Sequence, residues 1–307
     1  MKIAFLFPGQ ASQKVGMGFD LYHDTDLGKK YFDLANDIMG LDLRDIILNG
    51  PDEVLRQTKF TQPAIYLVSV TLGKLLLQKN IVPFATAGHS LGEYSALAIS
   101  GAFSFEIGLK LVKLRAESMQ KAGEIINGTM AAIIGLDKDT LENICRQSNE
   151  KGIVVPANFN APGQIVISGE VEAINYAMNQ AKKAGARKVI ELNVSGAFHS
   201  PLMSYAKEAL TDKLNSIEIS DTNIPIYSNV AAKPVTKSED IRENLIQQLD
   251  NTVLWQDTIL NMIQDGVANF VEVGPGRVLQ GLTKRIDRNI KSSGIEINND
   301  VNSYTNE

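Results

Sequence analysis

Short apolar strands alternate with helices in the first part of the chain, and this alternation is the strongest restriction on its fold. Residues 3–7 (Ile-Ala-Phe-Leu-Phe) form an apolar run that ends at a Pro-Gly pair. Residues 61–79 predict a mostly buried helix capped by Thr61, and residues 83–88 predict a second strand. Strands that alternate with helices are typical of a largely parallel sheet covered by helical layers. The pattern predicts an α/β domain.

The middle of the chain, residues 126–195, predicts a different unit. Its elements are expected at strand 129–134, helix 138–150, strand 152–158, strand 164–168, helix 170–184 and strand 187–194. This β-α-β-β-α-β order is the signature of a ferredoxin-like fold, for which about 70 residues suffice. We therefore expect residues 126–195 to be a subdomain inserted into the α/β domain.

The parent domain is then expected to comprise residues 1–125 and 196–290. Its remaining predicted elements are helix 91–101, helix 104–122 and strand 270–273. Residues 291–307 are rich in Asn, Ser and acidic side chains and lack apolar periodicity. Such a segment is expected to be a flexible C-terminal tail.

Composition excludes several classes of chemistry. The chain has one Cys and three His among 307 residues, so it cannot form an internal disulfide and contains no Cys/His cluster for zinc. Its formal charge of -5, without a basic stripe, argues against nucleic-acid binding. No apolar run approaches membrane-spanning length, and the first is too short for a signal peptide. We expect a cytoplasmic protein without a structural zinc site or an internal disulfide.

Residues 88–92, Gly-His-Ser-Leu-Gly, match the G-x-S-x-G pattern between a predicted strand and a predicted helix. This context is that of a nucleophile elbow, in which a sharp turn exposes the serine. Ser90 is thus a candidate nucleophile, and the backbone N–H of Leu91 would point at an oxyanion formed on an attacked carbonyl. The alternative is a Ser that only caps the following helix.

A serine nucleophile needs a base, and only three histidines are available. His89 adjoins Ser90, so its side chain should point elsewhere and fix the turn. His23 lies among polar residues in a predicted solvated loop. His199 precedes a predicted helix N-terminus, whose dipole disfavours the imidazolium, so His199 is the candidate base. The alternative is a histidine that only packs at the domain junction.

Arg115 shares one face of its predicted helix with apolar residues at four-residue spacing, namely Ile107, Leu111 and Met119. A buried guanidinium requires an anionic partner, and its planar fork suits a carboxylate. Three interpretations remain open: an internal pair with Glu93, a stem that reaches out to water, or a docking point for a substrate carboxylate.

Motifs along nearly the whole chain, from about residue 2 to residue 286, resemble one enzyme family. They are FPGQASQ at 7–13, TQPA at 61–64, GHSLGEY at 88–94, LRA at 114–116, NFNAPGQ at 158–164, GAFHSPLM at 196–203 and EVGPG at 272–276. In this order and spacing they resemble the malonyl-CoA:acyl carrier protein transacylases of bacterial fatty acid synthesis. The acyltransferase domains of polyketide synthases are more distant relatives.

The resemblance implies a fold and a set of roles. The family fold is an α/β-hydrolase-like domain with a ferredoxin-like insertion, which agrees with the elements predicted above. The resemblance implies that Ser90 is the acyl-accepting nucleophile and His199 its base. It implies an oxyanion hole from the backbone N–H groups of Gln10 and Leu91, and it assigns Arg115 to the malonyl carboxylate.

Four further residues follow from the resemblance alone. A backbone carbonyl near Gln248 is expected to hold the second nitrogen of the catalytic histidine. Asn158 matches a polar residue of the family's site. Phe198, just before the histidine, goes with a preference for malonyl over methylmalonyl groups, and Met119 is expected to line the same pocket.

The implied activity is a ping-pong transfer of malonyl from malonyl-CoA to the phosphopantetheine thiol of acyl carrier protein, by a monomer without cofactor. Alternatives are an acyltransferase serving a polyketide synthase in trans, an acyl-thioester hydrolase, and a non-catalytic module that binds carrier protein. Carrier protein is typically acidic, so docking on this acidic chain requires a local basic patch. The candidates are Lys284, Arg285, Arg288 and Lys291, expected on the last helix.

Overall fold

The computed structural model describes residues 2–305, which fold around two sheets. The strands are β1 (Ile3–Phe7), β2 (Ala85–Gly88), β3 (Gly128–Ile134), β4 (Val154–Ala161), β5 (Gln164–Glu170), β6 (Lys188–Glu191), β7 (Ile226–Tyr227), β8 (Pro234–Val235), β9 (Asn269–Val273) and β10 (Lys291–Ile295). The larger sheet has the order β10-β9-β1-β2-β7-β8, and every pair in it is parallel except β7 with β8. The prediction of a mostly parallel α/β sheet is confirmed.

Helices surround both sheets. They are α1 (Phe19–Asp24), α2 (Asp26–Met39), α3 (Leu43–Asn49), α4 (Asp52–Leu55), α5 (Thr58–Gln78), α6 (Gly92–Ser100), α7 (Phe105–Ile125), α8 (Lys138–Ser148), α9 (Val171–Lys183), α10 (Ser204–Ser216), α11 (Ser238–Gln248), α12 (Trp255–Gln264), α13 (Val278–Ile286) and α14 (Asn298–Ser303). Short 3-10 turns cover Asn149–Lys151 and Pro201–Met203.

Strand β1 lies at the centre of the large sheet and is buried on both faces. Its alternate side chains Phe5 and Phe7 pack into a core formed with α5, α6 and α7. Ala4 and Leu6 point to the opposite face and pack with α12 and α13. A strand buried on both faces reads as a continuous apolar run, which is why its sequence has no polar alternation.

Helix α5 begins three residues before the position predicted for it. Thr61 is not its N-cap, because its hydroxyl lies inside the helix and donates a hydrogen bond to the carbonyl of Leu55. By length and composition alone α5 could cross a membrane, but 78% of its apolar window is buried inside the protein. It is therefore accounted for as a core helix packed against α7.

The second sheet is antiparallel throughout and has the order β4-β5-β3-β6. Along the chain its elements run β3-α8-β4-β5-α9-β6, in the order that the sequence predicts. One face of this sheet packs against α8 and α9, with Cys145 buried among the apolar side chains of α8. The last strand is shorter than predicted: it ends at Glu191, after which the N–H of Leu192 makes one further hydrogen bond to β3 at Met130.

The expectation of a flexible tail from residue 291 is wrong for most of that segment. Strand β10 pairs in parallel with β9, from Lys291 opposite Asn269 to Ile295 opposite Val273, and α14 follows it. An edge strand is held by backbone hydrogen bonds to its neighbour and needs few apolar side chains. The Ser- and Gly-rich sequence of β10 therefore shows no apolar pattern from which a strand could be predicted. The last two residues of the expected tail lie outside the described residues.

Candidate active site

Ser90 lies on the sharp turn between β2 and α6. Its backbone is left-handed, with a φ of 51°. Two glycines allow the turn: a Cβ on Gly88 would lie 1.9 Å from the carbonyl carbon of Gly92, and a Cβ on Gly92 would lie 2.0 Å from the carbonyl oxygen of Phe7. The chain therefore passes so close to itself that only glycine fits at either position. This geometry agrees with the predicted elbow.

Asn229, which follows β7, holds this turn through two side-chain hydrogen bonds. Its side-chain oxygen accepts a hydrogen bond from the Ser90 N–H at 2.7 Å, and its amide group donates to the Gly88 carbonyl at 2.7 Å. Asn229 is fully buried, so these bonds do not compete with water. Sequence reasoning missed this residue, which lies 139 positions from Ser90 and carries no local signal.

The Ser90 hydroxyl lies 2.8 Å from Nε2 of His199. Nδ1 of the same ring lies 2.9 Å from the backbone carbonyl oxygen of Gln248. A carbonyl can only accept, so Nδ1 carries the hydrogen and Nε2 presents a lone pair to the serine. This is the tautomer that a general base requires, and the carbonyl near Gln248 lies where the resemblance implied.

His199 is buried, and its backbone has a φ of 58°. Burial, reinforced by the nearby charge of Arg115, lowers the pKa of His199 to about 3. The imidazole is therefore neutral at physiological pH. Desolvation is the main cause of this neutrality, rather than the helix dipole expected from the sequence. Ser200 caps the 3-10 turn Pro201–Met203, which leads into α10.

Arg115 is fully buried, and its guanidinium touches the serine. One terminal nitrogen, Nη1, donates to Oε1 of Gln62 at 2.7 Å. The other, Nη2, donates to Oγ of Ser90 at 2.9 Å and to Oε1 of Gln248 at 3.0 Å. A side chain that reaches out to water is thus excluded.

Among residues 2–305, no acidic side chain forms an ion pair with Arg115. The internal pair with Glu93 is not formed, because Oε2 of Glu93 accepts instead from Gln248 and from the Asn229 N–H. A buried cation without a direct anionic partner is costly, and a substrate carboxylate would supply that partner. Of the three interpretations, the docking point fits this geometry best.

The backbone N–H groups of Gln10 and Leu91 are the expected oxyanion donors. Leu91 directly follows Ser90 and is buried. Gln10 follows β1, and Gly9 beside it approaches the His89 carbonyl so closely that a Cβ would lie 2.4 Å from that oxygen. Within the described part of the chain, neither N–H donates a hydrogen bond, which leaves both available to a ligand.

The remaining expected site residues lie around this centre. Phe198 is buried just before the histidine, and Met119 accepts a hydrogen bond through its sulfur from Gln62, the partner of Arg115. Asn158 is buried and bridges to the backbone of Val253, but it has no side-chain hydrogen bond to the site residues within 2–305.

A neighbour of Asn158 makes the contact with the elbow instead. Nε2 of His89 lies 2.7 Å from Oδ1 of Asn160, which can only accept, so His89 donates. This bond ties the elbow to the second sheet, and it agrees with the expectation that His89 fixes the turn. His23 lies on α1, not in a loop, and is exposed against Phe19.

Metal-ligating and thiol side chains also bear on the chemistry of this arrangement. Within residues 2–305, no group of three or more His, Cys, Asp or Glu side chains could hold a metal ion. Cys145 lies in α8, and burial raises the pKa of its thiol to about 12, which keeps it protonated.

Two surface clefts contain residues expected at the site or in the basic patch. One, of about 520 Å³, is lined by residues that include Gln10, Thr58 and Ser195. The other, of about 490 Å³, is basic and is lined by Arg187, Lys188, Lys284, Arg285 and Arg288. The prediction that the basic residues all lie on the last helix is wrong. Lys284 and Arg285 lie at the end of α13, Arg288 follows α13, and Lys291 begins β10 outside this cleft.

A serine hydroxyl held by a neutral imidazole on a mostly parallel α/β sheet is typical of enzymes that use a serine nucleophile. The sequence profile described as "Acyl transferase domain" matches residues 4–303, and the chain belongs to this family.

Relatives support the same assignment. The chain is 43% identical over 295 residues to a malonyl CoA-acyl carrier protein transacylase of Bacillus subtilis, a match that covers 96% of this chain and 93% of that one. It is 42% identical to the protein of the same name in Haemophilus influenzae, with 99% and 97% covered. The resemblance stated from the motifs is confirmed.

Solved structures agree. The acyl-carrier-protein S-malonyltransferase of Bartonella henselae superposes with a TM-score of 0.95 at 38% identity, covering 99% of this chain and 98% of that one. A malonyl-transacylase solved in complex with a type II polyketide synthase acyl-carrier protein superposes with a TM-score of 0.94, also at 38% identity and the same coverage.

Proposed function

We propose that the chain transfers a malonyl group from malonyl-CoA to the phosphopantetheine thiol of acyl carrier protein, for fatty acid synthesis. One observation carries the proposal: Oγ of Ser90 lies between Nε2 of His199 at 2.8 Å and Nη2 of Arg115 at 2.9 Å. The nucleophile thus has a base on one side and a buried cation on the other. A dicarboxylic acyl group uses both.

In the first half-reaction, Oγ of Ser90 attacks the thioester carbon while His199 takes its proton on Nε2. The N–H groups of Gln10 and Leu91 stabilise the oxyanion that forms on the carbonyl oxygen. The carbon–sulfur bond then breaks, and His199 returns the proton to the departing sulfur, which leaves as coenzyme A. Arg115 holds the free malonyl carboxylate throughout.

In the second half-reaction, the phosphopantetheine thiol of carrier protein attacks the Ser90 ester. His199 accepts the thiol proton and delivers it to Oγ as the carbon–oxygen bond breaks. The products are malonyl carrier protein and the free serine, so no metal, redox group or other cofactor is consumed. Phe198 and Met119 would crowd an α-methyl group and favour malonyl over methylmalonyl.

For the architecture, we propose an α/β-hydrolase-like domain with a ferredoxin-like insertion at 126–195. The order of the second sheet, β4-β5-β3-β6, supports this proposal. It places the first strand of the unit, β3, between the third and the fourth strands, as expected for a ferredoxin-like fold. Because β10 extends the large sheet, the parent domain is proposed to continue past residue 290 to residue 303.

For the partner surface, we propose that the basic cleft receives the acidic carrier protein or the phosphates of coenzyme A. Five cationic side chains line it, which offsets locally the net negative charge of the chain. We propose that the enzyme works as a cytoplasmic monomer. A polyketide carrier protein is the second candidate partner, because one structural neighbour was solved with one.

Mass spectrometry of the protein mixed with malonyl-CoA tests this proposal. A malonyl adduct on Ser90 that persists without carrier protein, and disappears when phosphopantetheinylated carrier protein is added, is the expected result. A Ser90→Ala variant should form no adduct. Rapid release of free malonate without an adduct would instead make the protein an acyl-thioester hydrolase. Transfer that persists in Ser90→Ala would show that Ser90 is not the nucleophile, and neither adduct nor transfer in the wild type would make the protein a non-catalytic module.

A further inference from the structure

Glu93 is a buried carboxylate directly beneath the elbow, and the mechanism above does not use it. It lies in the first turn of α6 and is only 2% exposed. One of its oxygens, Oε2, accepts two hydrogen bonds, from Nε2 of Gln248 at 2.7 Å and from the N–H of Asn229 at 3.2 Å. Both donors belong to residues that hold the reacting groups.

The first donor links Glu93 to the arginine. The side-chain amide of Gln248 donates from Nε2 to Glu93 and to the Ser90 carbonyl, the latter at 3.0 Å, and its Oε1 accepts from Arg115 at 3.0 Å. A carboxylate can be met only by the NH2 end of the amide. The oxygen end must then face the guanidinium.

The reverse orientation of this amide would be unfavourable at both ends. Its NH2 group would face the donors of Arg115, and its oxygen would face the carboxylate oxygen of Glu93. Glu93, together with the Ser90 carbonyl, therefore selects the orientation of Gln248 that gives the arginine an acceptor. Because Gln248 also holds His199 through its backbone carbonyl, one residue connects the carboxylate to the base and the cation.

The second donor links Glu93 to the nucleophile. Asn229 clamps the backbone on both sides of the elbow, at Gly88 and Ser90, and its own N–H is satisfied by Glu93. The ionised form of Glu93 is the one that excludes the reverse orientation of the Gln248 amide, because a protonated carboxyl could donate to the amide oxygen. Burial raises the pKa of Glu93 to about 7, against the opposing effects of Gln248, Asn229 and the nearby charge of Arg115.

We propose that Glu93 is a positioning residue for acyl selection: through the amide of Gln248 it holds the guanidinium of Arg115 in the orientation that receives the malonyl carboxylate. The inference rests on the proposed role of Arg115. Glu93 itself touches no substrate, so its effect should appear in the preference between acyl groups rather than in bond-breaking itself.

The test compares kcat/KM for malonyl-CoA with kcat/KM for acetyl-CoA in matched variants. Glu93→Ala removes both hydrogen bonds and frees the amide to rotate, so the malonyl-to-acetyl ratio should fall by about tenfold, the value of one charged hydrogen bond. Glu93→Gln keeps an oxygen that can accept from both donors, so its ratio should stay within about threefold of the wild type. A loss of active protein lowers both rates equally and leaves the ratio unchanged.

A double-variant cycle tests the route through Gln248. Gln248→Met removes the amide but keeps the backbone carbonyl that holds the histidine, and should lower the ratio by about tenfold. Adding Glu93→Ala to it should lower the ratio no further, because coupled residues act as one unit. If Glu93→Ala fails to fold, Gln248→Met still tests the route to the arginine, and an unchanged ratio in that variant overturns the inference.

Two other results would also overturn it: an unchanged ratio in a folded Glu93→Ala, or an equal loss in Glu93→Gln and Glu93→Ala. The failure of the proposed function looks different. In that case an Arg115→Met variant keeps the wild-type ratio, whatever the Glu93 variants do. If Arg115→Met abolishes the preference and Glu93→Ala does not change it, only the positioning role fails.

Discussion

Replacing Arg115 by Met should separate binding of the malonyl carboxylate from the chemistry at the serine. The guanidinium is fully buried and has no ion pair among the described residues, so an incoming carboxylate would be its first anionic contact. Truncating one partner of a buried charged pair costs about 2–5 kcal/mol. At about 1.4 kcal/mol per factor of ten, kcat/KM for malonyl-CoA should fall by about 30-fold to several thousand-fold.

Acetyl-CoA carries no free carboxylate and should lose much less, about tenfold or below, since Nη2 of Arg115 also donates to the serine hydroxyl. Both substrates are assayed with the same carrier protein. Arg115→Lys is the matched control, because it keeps the charge without the planar guanidinium. Its kcat/KM for malonyl-CoA should lie between those of the wild type and Arg115→Met. The thermal unfolding midpoint of the Met variant is measured alongside, because Met fills a similar volume but leaves the buried Oε1 atoms of Gln62 and Gln248 without their donor. Equal losses for malonyl and acetyl would refute a carboxylate-binding role and leave Arg115 as a structural residue.

Three further predictions concern the base, the elbow and the basic cleft. Burial lowers the pKa of His199 from 6.5 to about 3, so the unfolded chain binds a proton at this residue more readily than the folded chain does. The free energy of unfolding of the wild type, relative to that of His199→Gln, should therefore be highest above pH 6.5 and fall by a few kcal/mol as the pH falls towards 3. Urea unfolding measures this difference, and a difference that does not depend on pH would contradict the prediction. Gly92→Ala should unfold at a much lower temperature than the wild type, because its Cβ would lie 2.0 Å from a carbonyl oxygen. The control Gly281→Ala has nothing within 4 Å of the added Cβ and should be neutral or stabilising. Similar thermal unfolding midpoints for the two variants would show that the turn can accommodate a side chain. Arg187→Ala and Arg285→Ala should raise KM for carrier protein and weaken its dependence on salt, and an unchanged salt dependence would place docking elsewhere.

Local features of the sequence predicted a large part of this structure. Apolar runs ended by Gly or Pro located β1 and β2, and the alternation in residues 126–195 located the elements of the second sheet in order. The spacing of glycines around Ser90 predicted the turn, because a sharp turn is a demand on neighbouring residues only. The edge strand β10 escaped detection, since its Ser- and Gly-rich side chains carry no periodicity and its partner β9 supplies the order.

The sequence by itself therefore determined the class of fold and the elbow, and it singled out Ser90, His199 and Arg115 as candidate site residues. Only the tertiary structure decided how they are held. The buried polar groups around them, Gln62, Glu93, Asn160, Asn229 and Gln248, come from five separate elements or loops of the chain. A turn or a helix face depends on residues a few positions apart, which a sequence displays directly. A buried hydrogen bond depends on which distant segments packing brings together, and each such donor or acceptor must find its partner there or destabilise the fold.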